Sequence, residues 1–189
     1  MSEAPICIRR ALNTDVEGIV QVMEEAVRTM ERPEWFVSDD EAFIREHIDR
    51  KGFTLIAEKQ SFQSGEEGKE YPLNRIGGFL IVKFPGLSEK NLGHTLHMPE
   101  ENLLRVAHMD SAAVLPSWRG QGLQGKLIDA AERELIGGPY TLLMATVHPE
   151  NRFSLENFLR RGYTVKATVR RYGGLLRYVL LKDTTKGSV

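Results

Sequence analysis

Apolar residues recur at helical spacing near the start of the chain: Val16, Ile19, Val20, Met23, Val27 and Met30 fall on one face of a helix. Thr14 and Glu17 stand at capping-box spacing ahead of that run. Ser38 and Glu41 repeat the spacing ahead of "AFIREHI", which predicts a second helix. The β-branched stretch "PICIRRAL" (Pro5–Leu12) predicts a strand before both. The period then changes. "FTLIAEK" (Phe53–Lys59) and "RIGGFLIVKF" (Arg75–Phe84) are short, apolar and rich in aromatic and β-branched residues, as strands are. The polar "QSFQSGEEGKEYPLN" between them reads as a long hairpin loop. "PGLSEKNLGHTLHMPEEN" (Pro85–Asn102) shows no period beyond a short helical turn and reads as an insertion over one edge of the fold.

"LLRVAHMDSAAVL" (Leu103–Leu115) predicts a long strand. Leu123, Leu127, Ile128, Ala131 and Leu135 then line one side of a helix that stops near "GGP". "TLLMATV" (Thr141–Val147) is a buried strand, and "NRFSLENFLRRG" (Asn151–Gly162) a helix with Leu155, Phe158 and Leu159 inward. Strands around "YTVKATVRR" and "LLRYVLL" close the chain. The order β-α-α-β-β-β-α-β-α-β-β defines an α/β chain: a mixed sheet with helices on its faces, in a single domain over residues 1–189.

Composition narrows the function. A net charge of −1 gives no electrostatic case for nucleic acid or an anionic membrane, so neither is expected as a partner. One cysteine, Cys7, permits neither an intramolecular disulfide nor a thiolate zinc cluster, and its place in the first strand predicts burial. "MSEAPICIRR" lacks the apolar run of a signal peptide and no stretch is apolar enough to span a bilayer, so a cytoplasmic protein is expected. His94 and His97 have the spacing of a metal pair but no third ligand, and no metal site is expected.

The chemistry concentrates in "PSWRGQGLQG" (Pro116–Gly125), which contains G-x-G-x-x-G. Glycines bare the backbone and admit positive φ, so several N–H groups at a helix start can converge on a phosphate. A dinucleotide fold would place its first glycine directly off the first strand, with an acidic residue closing the next. Here four residues intervene, several strands precede the motif, and the following strand runs into His148-Pro149. That disfavours a nicotinamide oxidoreductase.

"AAVLPSWRGQGLQGKLI" resembles the acetyl-CoA motif of the Gcn5-related N-acetyltransferase (GNAT) superfamily, and "HPENRFSLENFLRRGY" is similar to that superfamily's next motif. The resemblance is strongest over Val106–Tyr163. It implies a GNAT-like fold and transfer of an acetyl group from acetyl-CoA to a primary amine, small-molecule or peptide, by direct attack and without a metal. It implies that the N–H groups of Arg119, Gly120, Gln121, Gly122, Leu123 and Gln124 cradle the coenzyme A pyrophosphate. Ala112, Ala113 and Val114 would offer backbone hydrogen bonds to the pantetheine, helped by a bulge in "HMDSAAV" that splays the strand. Asn151 would contact the thiol arm, or simply cap its helix.

Direct attack requires a deprotonated amine, hence a general base. Asp110, a lone carboxylate in an apolar strand, is the first candidate, with His108 and His148 to replace or assist it. A backbone N–H near Val114 would stabilise the developing oxyanion. Many members of the superfamily carry a tyrosine four residues before the glycine that ends the second motif's helix; that position is Phe158, leaving Tyr163 or Tyr172 to protonate the thiolate, or the thiolate to depart without enzymic help. Arg170, Arg171 and Arg177 read as solvated strand charges, with contact to the substrate or to the cofactor's 3′-phosphate as the alternative. Glu100, Glu101 and Asp110 would make an acidic mouth for a cationic amine. A non-catalytic acyl-CoA-binding module is the competing function, and monomer and homodimer both stay open.

Overall fold

The computed structural model describes residues 5–64 and 70–185. The first strand, β1 (Ile6–Arg10), is followed by helices α1 (Val16–Arg28) and α2 (Glu41–Asp49) and by the long hairpin of β2 (Gly52–Ser64) and β3 (Glu70–Lys83). After a short helix α3 (Glu100–Leu103) come β4 (Val106–Val114), α4 (Leu123–Leu135), β5 (Leu142–Val147), α5 (Arg152–Leu159), β6 (Thr164–Arg171) and β7 (Leu175–Asp183). Among the described residues seven strands form one mixed sheet in the order β1-β2-β3-β4-β5-β7-β6, parallel only between β4 and β5.

Alternation along the strands divides the core. Leu55, Leu80, Val82, Ala107 and Met109 face α4 and α5, where Leu123, Leu127, Ile128, Ala131 and Leu135 are all buried as their spacing predicts. Ile56, Phe79, Ile81 and Ala113 face the other way, against Val16, Ile19, Met23 and Ile44 of α1 and α2. The 85–105 segment also packs on that second face. Its Leu92, Leu96 and Met98 meet Val106, Met144 and Val179, so it covers β4, β5 and β7 rather than an edge of the fold.

Several local expectations are corrected. The polar run between the two early strands is mostly ladder: Gln60 pairs with Asn74 and Ser64 with Glu70, while 65–69 lie outside the described residues. Backbone pairing between adjacent antiparallel strands outweighs the polar composition. Asp40, not Ser38, caps α2 by accepting from the Phe43 N–H at 2.7 Å. At α1 it is Asp15, not Glu17, that reaches back, accepting from the Leu12 N–H at 2.7 Å. Leu159 is exposed where an inward position was expected, and Cys7 is exposed because its face of the edge strand carries no cover. Among the described residues no helix is long and apolar enough to cross a membrane.

Candidate active site

Chain geometry at the end of β4 follows from one large side chain. Trp118 is buried over β3, where a Cβ on Gly77 would stand 1.9 Å from its ring. With the indole anchored there, the chain turns through Gly120 (φ 79°) and Gly122 (φ 67°), both in the left-handed region that favours glycine. No protein atom lies within 4 Å of a Cβ built on either, so backbone conformation rather than crowding selects glycine here. Gly122 is the N-cap of α4 and has no side chain to satisfy the first-turn N–H groups. The first helical bond runs from the Lys126 N–H to the Gly122 carbonyl at 3.0 Å, leaving the amides of Leu123, Gln124 and Gly125 at the positive end of the helix dipole. The third glycine has another task. A Cβ on Gly125 would come within 2.3 Å of the Arg161 guanidinium, which holds Asp129 at 2.7 and 2.8 Å, so this glycine lets α4 and α5 pack closely.

Beside this helix start the sheet opens. β4 and β5 are paired only at Val106/Leu142, Ala107/Leu143 and His108/Met144. A bulge follows at once: Val82 faces Met109 and Leu80 faces Ala112, so Asp110 and Ser111 together oppose Ile81. Beyond it, the flank of β4 toward β5 has no strand partner among the described residues. The Leu115 N–H donates to the Gly77 carbonyl at 2.8 Å, on the β3 side. By alternation the backbone groups of Val114 and Ala112 therefore point into the opening, whereas those of Ala113 turn to Phe79 of β3. Of the three strand residues expected to offer hydrogen bonds there, Ala112 and Val114 face the opening and Ala113 does not.

A cavity of about 610 Å³ lies at the mouth of this opening, on the α1/α2 face. Asp110 and Thr146, just past the last paired residues of their strands, both line it. Its other polar walls are Asp39, Lys83, Lys90, His108, Arg170, Arg171 and Tyr172, with Val37, Phe43, Leu92 and Met109 as its apolar part. The ring of His108 is buried and its Nε2 accepts from the Leu92 N–H at 3.1 Å. In the neutral ring the proton then sits on Nδ1, which faces Asp110 Oδ1 at 4.0 Å. Burial, helped by Lys83 and Arg171, pushes the His108 pKa down to about 3, so the ring stays neutral and is no proton acceptor near neutrality. Burial raises the Asp110 pKa, against the pull of the same two cations.

A second carboxylate, which the sequence reading passed over, belongs to this group. Asp39 accepts from the Ser111 hydroxyl across the bulge. Burial pushes its pKa up to about 6, opposed by that hydrogen bond and reinforced by the charge of Asp110. Two carboxylates of raised pKa thus share one cavity. Tyr172 is held at φ 53°, and its hydroxyl lies 3.3 Å from Thr146 Oγ1. Such a backbone conformation in a bulky residue is uncommon and clusters at functional sites.

The other candidates lie elsewhere. His148 does not line the cavity; its Nδ1 accepts from the Glu150 N–H at 3.2 Å and its ring sits near Trp35. Tyr163 is buried against Phe158 with ring centroids 4.9 Å apart, and burial raises its pKa. Asn151 caps α5, its Oδ1 accepting from the Ser154 N–H at 3.1 Å. Arg177, expected to be solvated, is buried: it donates to the Glu34 carbonyl at 2.8 Å and clamps β7 to the Pro33–Trp35 turn. Glu100 and Glu101 are exposed on α3 and do not line the cavity, so of the three residues of the expected acidic mouth only Asp110 is in its walls. Among the described residues no group of three or more His, Cys, Asp or Glu could hold a metal.

A mixed seven-stranded sheet whose one parallel strand pair parts beside a glycine-bounded helix start defines the α/β class of this fold. Residues 21–163 match the acetyltransferase (GNAT) family, and the chain belongs to that family. Solved structures share its fold. It is similar to yncA from Salmonella typhimurium, solved with its cofactor acetyl-CoA, at 16% identity and TM-score 0.63 over 98% of each chain. It is also similar to NAA60 of Arabidopsis thaliana, in complex with a bisubstrate analogue, at 14% identity and TM-score 0.65 over 95% of this chain and 99% of that one. A GNAT acetyltransferase from Streptococcus pneumoniae aligns at 15% identity and TM-score 0.63, over 95% of this chain and 99% of that one. No curated protein sequence matches the chain.

Proposed function

We propose that the protein is an acetyl-CoA-dependent N-acetyltransferase, one domain over residues 1–189, acting on a primary amine bound in the 610 Å³ cavity. The observation that carries this reading is the uncapped start of α4 beside the parting of β4 and β5. Amides at a helix N-terminus with glycines at positive φ suit a diphosphate. In this reading the N–H groups of Gly120, Gln121, Gly122, Leu123 and Gln124 hold the pyrophosphate, whereas the Arg119 N–H, also expected there, is given to the Pro116 carbonyl at 3.2 Å. The backbone of Ala112 and Val114 lies alongside pantetheine, and Asn151 uses its amide NH2 toward the thiol arm.

Acetyl-CoA, when bound, supplies a thioester carbonyl that the amine nitrogen attacks, forming the amide N–C bond as the C–S bond breaks. Asp110 takes the proton that the ammonium must lose; its raised pKa makes it a better acceptor than an exposed carboxylate. His108, locked neutral by Leu92, keeps Asp110 company without competing for that proton. The Val114 N–H, aimed into the opening, faces the oxygen that gains charge. Tyr172 stands in for the hydroxyl that Phe158 lacks and returns a proton to the departing sulfur.

The test combines calorimetry with coenzyme A and release of free thiol from acetyl-CoA across an amine panel. Asp110→Asn is expected to cut kcat by about 10²- to 10⁴-fold with coenzyme A affinity unchanged. Tight binding with no turnover for any amine would identify an acyl-CoA-binding module instead. Absence of binding heat would remove the proposal altogether.

A further inference from the structure

The cavity gathers charges of both signs in its walls without an ion pair between them among the described residues. Arg9, Arg10, Arg28, Arg32, Arg45 and Arg161 each reach a carboxylate. The cations lining the cavity do not. Lys83 lies 5.3 Å from the Phe43 ring centroid, and Arg171 6.0 Å from that of Tyr172. Arg170 gives one N–H to the Gly174 carbonyl, and Lys90 is exposed. Among the described residues none of the four forms an ion pair with Asp39 or Asp110, although all six groups share the same walls. Four cations against two carboxylates, with His108 neutral, leave an excess of two positive charges in a chain whose net charge is −1.

Lys83 and Arg171 are half-buried in the cavity wall and Lys90 and Arg170 are exposed at it, so an anionic group entering the cavity meets an attractive field. Asp110 stands beside the parting of β4 and β5, where an amine must arrive, with Asp39 joined to it across the bulge through Ser111, while Lys83 from the end of β3 and Arg171 from the end of β6 line the same cavity close enough to act on Asp110. We propose that the acceptor is a small zwitterion: a primary amine whose own molecule carries a carboxylate or phosphoryl group, the amine meeting Asp39 and Asp110 and the anion meeting Lys83 and Arg171. This rests on the acetyltransferase reading above. The cofactor's pyrophosphate does not account for these cations, because none of Arg119–Gln124 lines the cavity. A polyamine or basic peptide would meet net repulsion. The volume suits a small molecule, and Val37 and Phe43 provide an apolar wall for its side chain.

The experiment measures thiol release by the purified protein with acetyl-CoA and a matched panel. The panel comprises L-amino acids, their carboxamides, their aminophosphonate analogues, spermidine and a short peptide of neutral side chains with a free amino terminus and an amidated carboxyl terminus. The acids or the phosphonates are expected to exceed the carboxamides at least about tenfold in kcat/KM, about 1.4 kcal/mol; whichever anion leads names the group. Arg171→Gln and Lys83→Met should each raise KM for the anionic acceptor about tenfold with coenzyme A affinity unchanged, and Arg171→Lys should recover most of the loss. Carboxamides, spermidine or the peptide equalling or exceeding the acids would overturn the zwitterion while leaving the acetyltransferase standing. Failure of coenzyme A to bind would overturn both. The panel on the unaltered protein decides the matter even if a variant does not fold.

Discussion

His108 and Asp110 sit two residues apart on β4, and the same burial acts on them in opposite directions: the imidazole loses its proton easily, the carboxyl keeps its own. Asp39 completes the group and offers a test in stability. Its folded pKa of about 6 lies above the ordinary 3.8, so the folded chain binds this proton more tightly than the unfolded one. Its contribution to stability is therefore fully present below pH 3.8 and is lost as pH rises through about 6. Asp39→Asn keeps an acceptor for Ser111 and removes the charge. The variant should gain on the order of 1 kcal/mol over the natural chain at about pH 8, discounted for partial solvation, and little near pH 4. Urea unfolding at the two pH values reads the difference, and an equal gap at both would contradict it. Asp110 was legible as a lone carboxylate in an apolar strand. Asp39 was not, because "SDDE" reads as a capping run, and its neighbour Asp40 does cap. Nothing local to Asp39 shows that Ser111, seventy-two positions away, waits across the bulge.

At the scale of elements, the phosphate cradle depends on a packing contact outside the motif. Trp118 fixes where the loop leaves β4, and the room for its ring comes from Gly77 on β3. Gly77→Ala places a methyl 1.9 Å from the indole, so ring or strand must move. Overpacking of this kind costs about 1–3 kcal/mol. The variant is expected to lose that much in denaturant unfolding and to weaken coenzyme A binding by about tenfold, as measured by calorimetry. Normal affinity at reduced stability would show that the loop holds its shape without Trp118. Periodicity found the helices that bear on the site because α4 buries one clean stripe. It missed the strand character of the hairpin, since β2 and β3 satisfy their backbones through each other whatever side chains they carry. The cover provided by 85–105 was invisible for a related reason. Its fold is dictated by Leu92 and its neighbours meeting a distant sheet face, not by any repeat of their own.

For the whole molecule the parting of β4 and β5 is both the proposed binding site and the seam with the fewest paired residues in the sheet. Three residue pairs join the β1–β4 half to the β5–β7 half, compared with six between β5 and β7. A ligand lying along β4 and gripping the start of α4 would bridge these halves, and it would bind only where they are correctly assembled. Binding to the folded state alone adds RT ln(1 + [L]/Kd), about 2.7 kcal/mol at a hundredfold excess over Kd. For a chain of 189 residues each kcal/mol is worth about 2–4 °C. Coenzyme A at that excess should therefore raise Tm by about 5–10 °C, while NAD at the same concentration should leave it within about 1 °C. Gly122→Asp sets a carboxylate where the phosphates would dock and should abolish the rise, while also lowering the ligand-free Tm by about 2–4 °C, because a residue other than glycine is strained at φ 67°. Hydrogen exchange then locates the effect: protection should grow at Ala112 and Val114, whose amides face the seam, and stay level at Ala113, already bonded within the sheet. Equal protection at all three would mean that the ligand stabilises the fold from somewhere other than the opening.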